Sequence, residues 1–228
     1  LLLVMLDFAK FLLLLVNIDN AKHIRIPIEL FVEIFEFADI YPTTIGKKKE
    51  LLEGGENQNQ LYFNYRVPRL TYFKPISISY KVKSRDQGWS SFHRDYGTRR
   101  NSWTWIEASI STNPDERYLC FRNMHAGRNW EKQIKTFEKN SKLMKELNSA
   151  IKISARNEII SLQVWARSSF QGWRNKVDSA EIIIKWRVHG YWIDYVRVLS
   201  EKHLIALKLR EISLGSYENN QNSENDVC

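Results

Sequence analysis

Strict alternation of apolar and polar side chains recurs along this chain, and it restricts the fold more than any other feature. Ile76, Ile78, Tyr80 and Val82 alternate with Ser77, Ser79, Lys81 and Lys83. Between 102 and 111, Ile106, Ala108 and Ile110 alternate with Trp103, Trp105, Glu107 and Ser109. Ile160, Leu162, Val164 and Ala166 alternate with Ser161, Gln163, Trp165 and Arg167; Ala180, Ile182, Ile184, Trp186 and Val188 alternate with Glu181, Ile183, Lys185 and Arg187. A period of two puts one set on each face of a strand. Strands with one apolar face, joined by long loops, stack as antiparallel sheets over a shared core. The predicted fold is therefore mainly β: an antiparallel β-sandwich, with N-terminal helices and a C-terminal helix. A further short strand is expected at 118–122, and a helix or helical turn within 131–150.

The flanks are of different character. Residues 24–40 read as a helix opened by Pro27, whose missing N–H costs nothing in a first turn. Leu30, Ile34 and Phe37 share one face of it, widened by Phe31 and Phe35, and Tyr41-Pro42 ends it. Leu1–Val16 is apolar, but it is too short and too interrupted by Asp7 and Lys10 to span a membrane, so no membrane association is expected. The division predicted is a helical segment at 1–42, a polar linker at 43–62, the sandwich at 63–192, a C-terminal helix at 193–215 and a disordered polar tail at 216–228. The linker rests on Lys47–Glu50, Gly54-Gly55 and Asn57–Gln60. Ser200 is the candidate N-cap of the last helix.

Charge is uneven. Residues 1–64 carry a net −3 and residues 65–228 a net +11. A basic domain attracts nucleic acid, anionic membrane or acidic protein. Here the basic groups are scattered through strands and loops, with no run longer than Lys47-Lys48-Lys49, so a solvated basic surface is expected rather than a nucleic-acid partner. The two cysteines, Cys120 and Cys228, give no disulfide framework. A reducing compartment follows as the expectation, cytoplasm or nucleus. Neither cysteines nor the five histidines show zinc-ligand spacing, and no cofactor is expected.

Tryptophan is over-represented: eight in 228 residues, six of them between Trp89 and Trp173. Two loops repeat a tripeptide, Gln87-Gly88-Trp89 and Gln171-Gly172-Trp173. Trp103, Trp105, Trp165 and Arg167 sit opposite the aliphatic faces of their strands. Exposed indoles beside Arg, Asp and Asn make a recognition surface, by flat stacking plus directional hydrogen bonds. The candidate ligand set is Asp86, Trp89, Trp103, Trp105, Trp165, Arg167, Trp173, Arg174 and Asn175. The competing reading makes the same indoles a second core beneath a covering segment. His125 is either a structural histidine or a general base. No Gly-x-Ser-x-Gly, phosphate-binding glycine loop or paired metal-ligand histidines accompany it, and binding is expected rather than catalysis.

Two resemblances add to this. Ile26-Pro27-Ile28-Glu29-Leu30-Phe31-Val32-Glu33-Ile34-Phe35 resembles the opening of an F-box, in truncated form, because Tyr41-Pro42 stands where an F-box continues. The resemblance implies a substrate-recognition subunit of a cullin–RING ubiquitin ligase, with Pro27, Leu30, Ile34 and Phe35 on the ligase adaptor and an unknown protein or glycoprotein as substrate. Ser84–Ser91, Ser102–Glu107, Arg122–Ala126, Val164–Arg167 and Gly172–Val177 resemble a domain of uncharacterised fungal proteins, some of them F-box or ankyrin-repeat proteins. Its strand pattern is similar to that of jelly-roll F-box-associated domains that bind glycoproteins, which implies a sandwich of jelly-roll or galactose-binding-like kind. The first reading is thus a ligase substrate-recognition subunit. The alternatives are a stand-alone glycan-type binding module and, less favoured, a basic nucleic-acid binder.

Overall fold

The computed structural model describes residues 41–68, 70, 73–154, 158–170 and 172–188. Pro27, Leu30, Ile34 and Phe35, the helix expected at 193–215 and the tail at 216–228 lie outside them.

Among the described residues, eight antiparallel strands make two sheets. They are β1 (Thr43–Glu53), β2 (Asn59–Arg66), β3 (Phe73–Arg85), β4 (Thr104–Ile110), β5 (Asn113–Arg122), β6 (Glu131–Glu138), β7 (Ser161–Ser168) and β8 (Lys176–Val188). The order is β1-β8-β3-β6 in the first sheet and β2-β7-β4-β5 in the second. The apolar sets recognised in the sequence supply the core, apart from Ile76, which is half-buried. Ile78, Tyr80 and Val82 of β3 and Ala180, Ile182, Ile184 and Trp186 of β8 meet Ile106, Ala108 and Ile110 of β4 and Leu162, Val164 and Ala166 of β7 in one buried cluster. The fold is a mainly β, two-sheet sandwich.

Residues 131–150 divide where one helix or turn was expected. Glu131–Glu138 pairs with β3 from Ser84 to Ser77, and helix α1 (Lys142–Ile153) follows. Ser141 caps α1, its hydroxyl accepting the Met144 N–H at 3.4 Å. Leu143, Met144 and Leu147, on one stripe, are fully buried in the core.

The expected linker at 43–62 is instead strand β1, a turn and the first part of β2, so the sandwich starts about twenty residues earlier than predicted. Both strands lie at sheet edges. An edge strand is recruited through its backbone on one side, and charged side chains protect the other. Lys47, Lys48 and Lys49 therefore belong in β1, and the apolar alternation that marks an inner strand is absent. Register shifts between Lys49 and Leu52 and between Leu61 and Phe63 distort these edges further. Side chains also tie them inward: Tyr62 lies in the core, with Leu52, Phe63 and Tyr65 packed against it. The Trp186 Nε1–H donates to Thr44 Oγ1 at 3.0 Å, and the Tyr62 hydroxyl, from the opposite sheet, donates to the Glu50 carbonyl at 2.8 Å.

The register gives a direct test. Ile182→Ala, at a fully buried site, should cost about 2–5 kcal/mol in urea denaturation, whereas Ile183→Ala, on the outer face, should cost less than about 1 kcal/mol. The reverse order, with Ile183→Ala the costlier change, would mean that β8 is shifted by one residue, since a single slip exchanges its faces.

Candidate functional site

The predicted ligand residues separate into three places. Asp86, Trp173 and Asn175 are buried at one end of the sandwich. Trp89, 62% exposed, and Arg174 lie on neighbouring loops there, joined by the Arg174 N–H donating to Gln87 Oε1 at 3.2 Å. Trp105, Trp165 and Arg167 stand together on the outer face of the β2-β7-β4-β5 sheet. Trp103 continues the β4 row and packs against Phe170, ring centroids 5.2 Å apart.

The buried end is a hydrogen-bonded seam between the sheets. Asn175, just before β8, donates through Nδ2 to the Trp105 and Arg167 carbonyls at 2.8 and 3.2 Å. Its Oδ1 accepts from Asn123 Nδ2 at 2.9 Å. Asn123 also donates to Thr104 Oγ1 at 3.0 Å and accepts the Ser84 hydroxyl at 2.7 Å. The Asn175 N–H reaches Gln58 Oε1 at 3.3 Å. Gly54 leaves the room for that side chain, since a Cβ there would stand 1.8 Å from the same oxygen. Both amide side chains are thereby satisfied, as buried polar groups must be.

Asp86 and His125 belong to the same end. Asp86 accepts the N–H of Gln87 at 2.7 Å and of Ala126 at 2.9 Å. The second bond holds Ala126 at φ 54, a left-handed conformation costing roughly 1–2 kcal/mol for a residue with a Cβ. Burial raises the Asp86 carboxyl to about 6, against the opposing pull of its two N–H bonds and of His125. His125 donates from Nδ1 to the Asn101 carbonyl at 2.9 Å. Its ring packs against Trp173 at 5.1 Å and Tyr96 at 5.8 Å. A general base must reach the proton it removes; this imidazole is 1% exposed and reads as structural. The motif residues Asp86, Asn123, His125, Trp173 and Asn175 thus build the sandwich end rather than an open pocket.

The open face is organised by strand register. Across β7, β4 and β5 one row reads Arg167, Trp105, Arg122, and the next reads Trp165, Glu107, Leu119. On β2, Asn59 and Leu61 extend these two rows. Both indoles are pinned. Trp105 Nε1–H donates to Glu107 Oε1 at 2.7 Å, and Trp165 Nε1–H to Ser109 Oγ at 3.0 Å, which in turn donates to Gln163 Oε1 at 2.8 Å. Arg117 places its guanidinium 3.5 Å from the Trp165 centroid. Arg122 and Arg167 stand 5.7 and 5.8 Å from the Trp105 centroid, within cation–π range. Burial pushes the Arg117 guanidinium below its ordinary range; the like charge of Arg167 adds to this, and Glu107 and Asp115 oppose it. Leu61, 39% exposed, and Leu119, 48% exposed, flank the indoles.

Arg117, Leu119 and Arg122 are absent from the predicted set. Leu119 opposes Glu107 and Arg122 opposes Trp105, so Cys120 is an extra residue in β5. That bulge breaks the period of two and brings residues of opposite parity to one face. Sequence alternation cannot show this, although the Arg-rich composition of 117–122 is a signal. Among the described residues, no group of three or more His, Cys, Asp or Glu is placed to hold a metal ion, and no helix is long and apolar enough to cross a membrane.

Asp86 gives the buried end a pH signature. Its folded value lies above the unfolded 3.8, so its contribution to stability is complete below about pH 4 and is lost as pH rises through about 6. Relative to Asp86→Asn, the natural chain should lose up to about 3 kcal/mol between pH 4 and pH 7, measured by urea denaturation across that range. A stability difference that stays flat with pH would contradict the assignment.

No family model and no curated protein matches the chain. Among solved structures, it is similar to the C-terminal domain of EclA, described as a sugar-binding protein, at 12% identity and a TM-score of 0.33, over 59% of this chain and 78% of that one.

Proposed function

We propose that Tyr41–Arg187 is a ligand-binding module of jelly-roll architecture, that its site is the outer face of the β2-β7-β4-β5 sheet, and that its ligand is a saccharide. The jelly-roll reading rests on the strand order, in which two sheets share eight strands as 1-8-3-6 and 2-7-4-5. The observation that carries the site is the pair of half-buried indoles, each locked by its own N–H bond, on neighbouring inner strands.

Locking matters energetically. A ring already fixed by Glu107 or Ser109 loses little freedom when a ligand stacks on it. Trp105 offers flat apolar area and the Arg117 guanidinium stacked on Trp165 a flat cationic one, while Arg167, Glu107 and Asn59 supply donors and acceptors around them. A ligand with an apolar C–H face and a hydroxyl-bearing edge matches that mixture, and this is the chemistry of a sugar ring. Nothing in the described residues favours the ligase reading, whose motif lies outside them. No group on this face is arranged as a nucleophile with its base, so binding is the activity proposed.

Screening the full chain on a glycan array, followed by calorimetry on the best binder, tests the reading. Trp105→Ala and Trp165→Ala should each weaken binding about tenfold or more, a loss of at least ~1.4 kcal/mol, with the fold retained. Trp89→Ala, on its exposed loop, should leave affinity unchanged. Binding that survives both face variants and falls with Trp89→Ala would move the site to the loop end.

A further inference from the structure

We infer that the saccharide taken by this face is anionic, its carboxylate or sulfate groups received by Arg122 and Arg167 on either side of Trp105. This rests on the reading of the face as a saccharide site and adds the charge of the ligand.

Three guanidiniums, Arg117, Arg122 and Arg167, stand over the two indoles. Glu107 is the acidic group between them, and Asp115 lies farther along β5. The surplus of positive charge is held by arginine, whose planar fork matches a planar oxyanion better than a lysine ammonium does. Arg117 Nη1 and Arg167 Nε are buried atoms that complete no hydrogen bond, although Arg167 Nε forms an ion pair with Glu107 Oε2 at 3.3 Å. Arg122 is exposed and the Arg167 side chain is 27% exposed, so both stay within reach of an oxyanion. A neutral sugar hydroxyl is held less well there, because a charge-assisted bond is roughly twice as strong as a neutral one.

The register also sets a spacing. Arg167 and Arg122 lie on strands either side of Trp105, about 9–10 Å apart at two interstrand steps. The arrangement suits a ring stacked on Trp105 with an anionic group beyond each edge. Glu107 decides between kinds of anion. Its Oε2, in the centre of the face, completes no hydrogen bond. It pairs instead with Arg167 Nε at 3.3 Å, and its negative charge disfavours a dense run of phosphodiesters. A ligand whose anionic groups are set apart by neutral, hydroxyl-bearing rings keeps its charge at the guanidiniums and away from this oxygen, and an acidic saccharide does so.

The test uses the full chain with four probes: oligogalacturonate, its methyl ester, a sulfated heparin oligosaccharide and a single-stranded DNA oligonucleotide. One or both acidic sugars should bind about tenfold or more tightly than the neutral ester, with affinity falling as salt rises. Arg122→Gln and Arg167→Gln should each reduce acidic-sugar binding about five- to tenfold while changing ester binding less than about twofold. Glu107→Gln keeps an acceptor for Trp105 and should tighten the acidic sugar by about threefold, a gain that misfolding cannot mimic. Equal binding of acid and ester, both lost in Trp105→Ala, would overturn the anionic inference and leave the saccharide reading standing. Preference for the DNA, or no saccharide binding at all, would overturn both.

Discussion

The amide pair between Asn123 and Asn175 is the interaction on which the rest of this domain depends. It joins the end of β5 in one sheet to the start of β8 in the other. Its consequences reach the proposed site directly. The two Nδ2 hydrogens of Asn175 are bonded to the backbone carbonyls of Trp105 and Arg167, neighbours in the row that forms the open face. The seam that closes the sandwich thus also fixes where that row stands. Buried amides of this kind are valuable only when every donor and acceptor is matched, and Thr104, Ser84 and Gln58 complete the set.

The tryptophans show how one residue type serves four structural tasks. Trp186 lies in the core with its N–H on Thr44. Trp173 walls His125 at the buried end. Trp130 sits beneath the cations of Arg85 and Lys83 at 4.7 and 5.7 Å. Trp105 and Trp165 are half-buried on the open face, pinned by polar neighbours. The surplus of indoles is therefore neither a second core nor a single binding cluster. Trp105 and Trp165, each pinned by an indole N–H bond and half-exposed, combine preorganisation with access, the two conditions that make an aromatic surface useful for recognition.

The inner strands were legible in the sequence because burial of one face writes a period of two. β3, β4, β7 and β8 carry it plainly. β1 and β2 do not, since an edge strand is held by backbone pairing to a single neighbour and its lysines are favoured there. Half of the open face was also legible: Trp105, Trp165 and Arg167 follow from alternation, whereas Arg122 is hidden by the bulge at Cys120 and Arg117 lies in a stretch with no clear alternation. Asp86, Trp173 and Asn175 were assigned to a ligand because Asp, Trp and Asn beside glycine turns have the composition of a recognition loop. Their bonds are made to backbone groups many residues away, such as Ala126 N–H and the Arg167 carbonyl, and one-dimensional spacing carries no trace of those partners.

Indole N–H resonances of the 15N-labelled full chain, followed during titration with oligogalacturonate, test the central claim most directly. Each tryptophan reports separately, so the site is located without any substitution. Progressive shifts are expected at Trp105 and Trp165, with Trp173 and Trp186 unmoved. Shifts confined to Trp89 and its loop, with Trp105 and Trp165 unchanged at saturation, would contradict it.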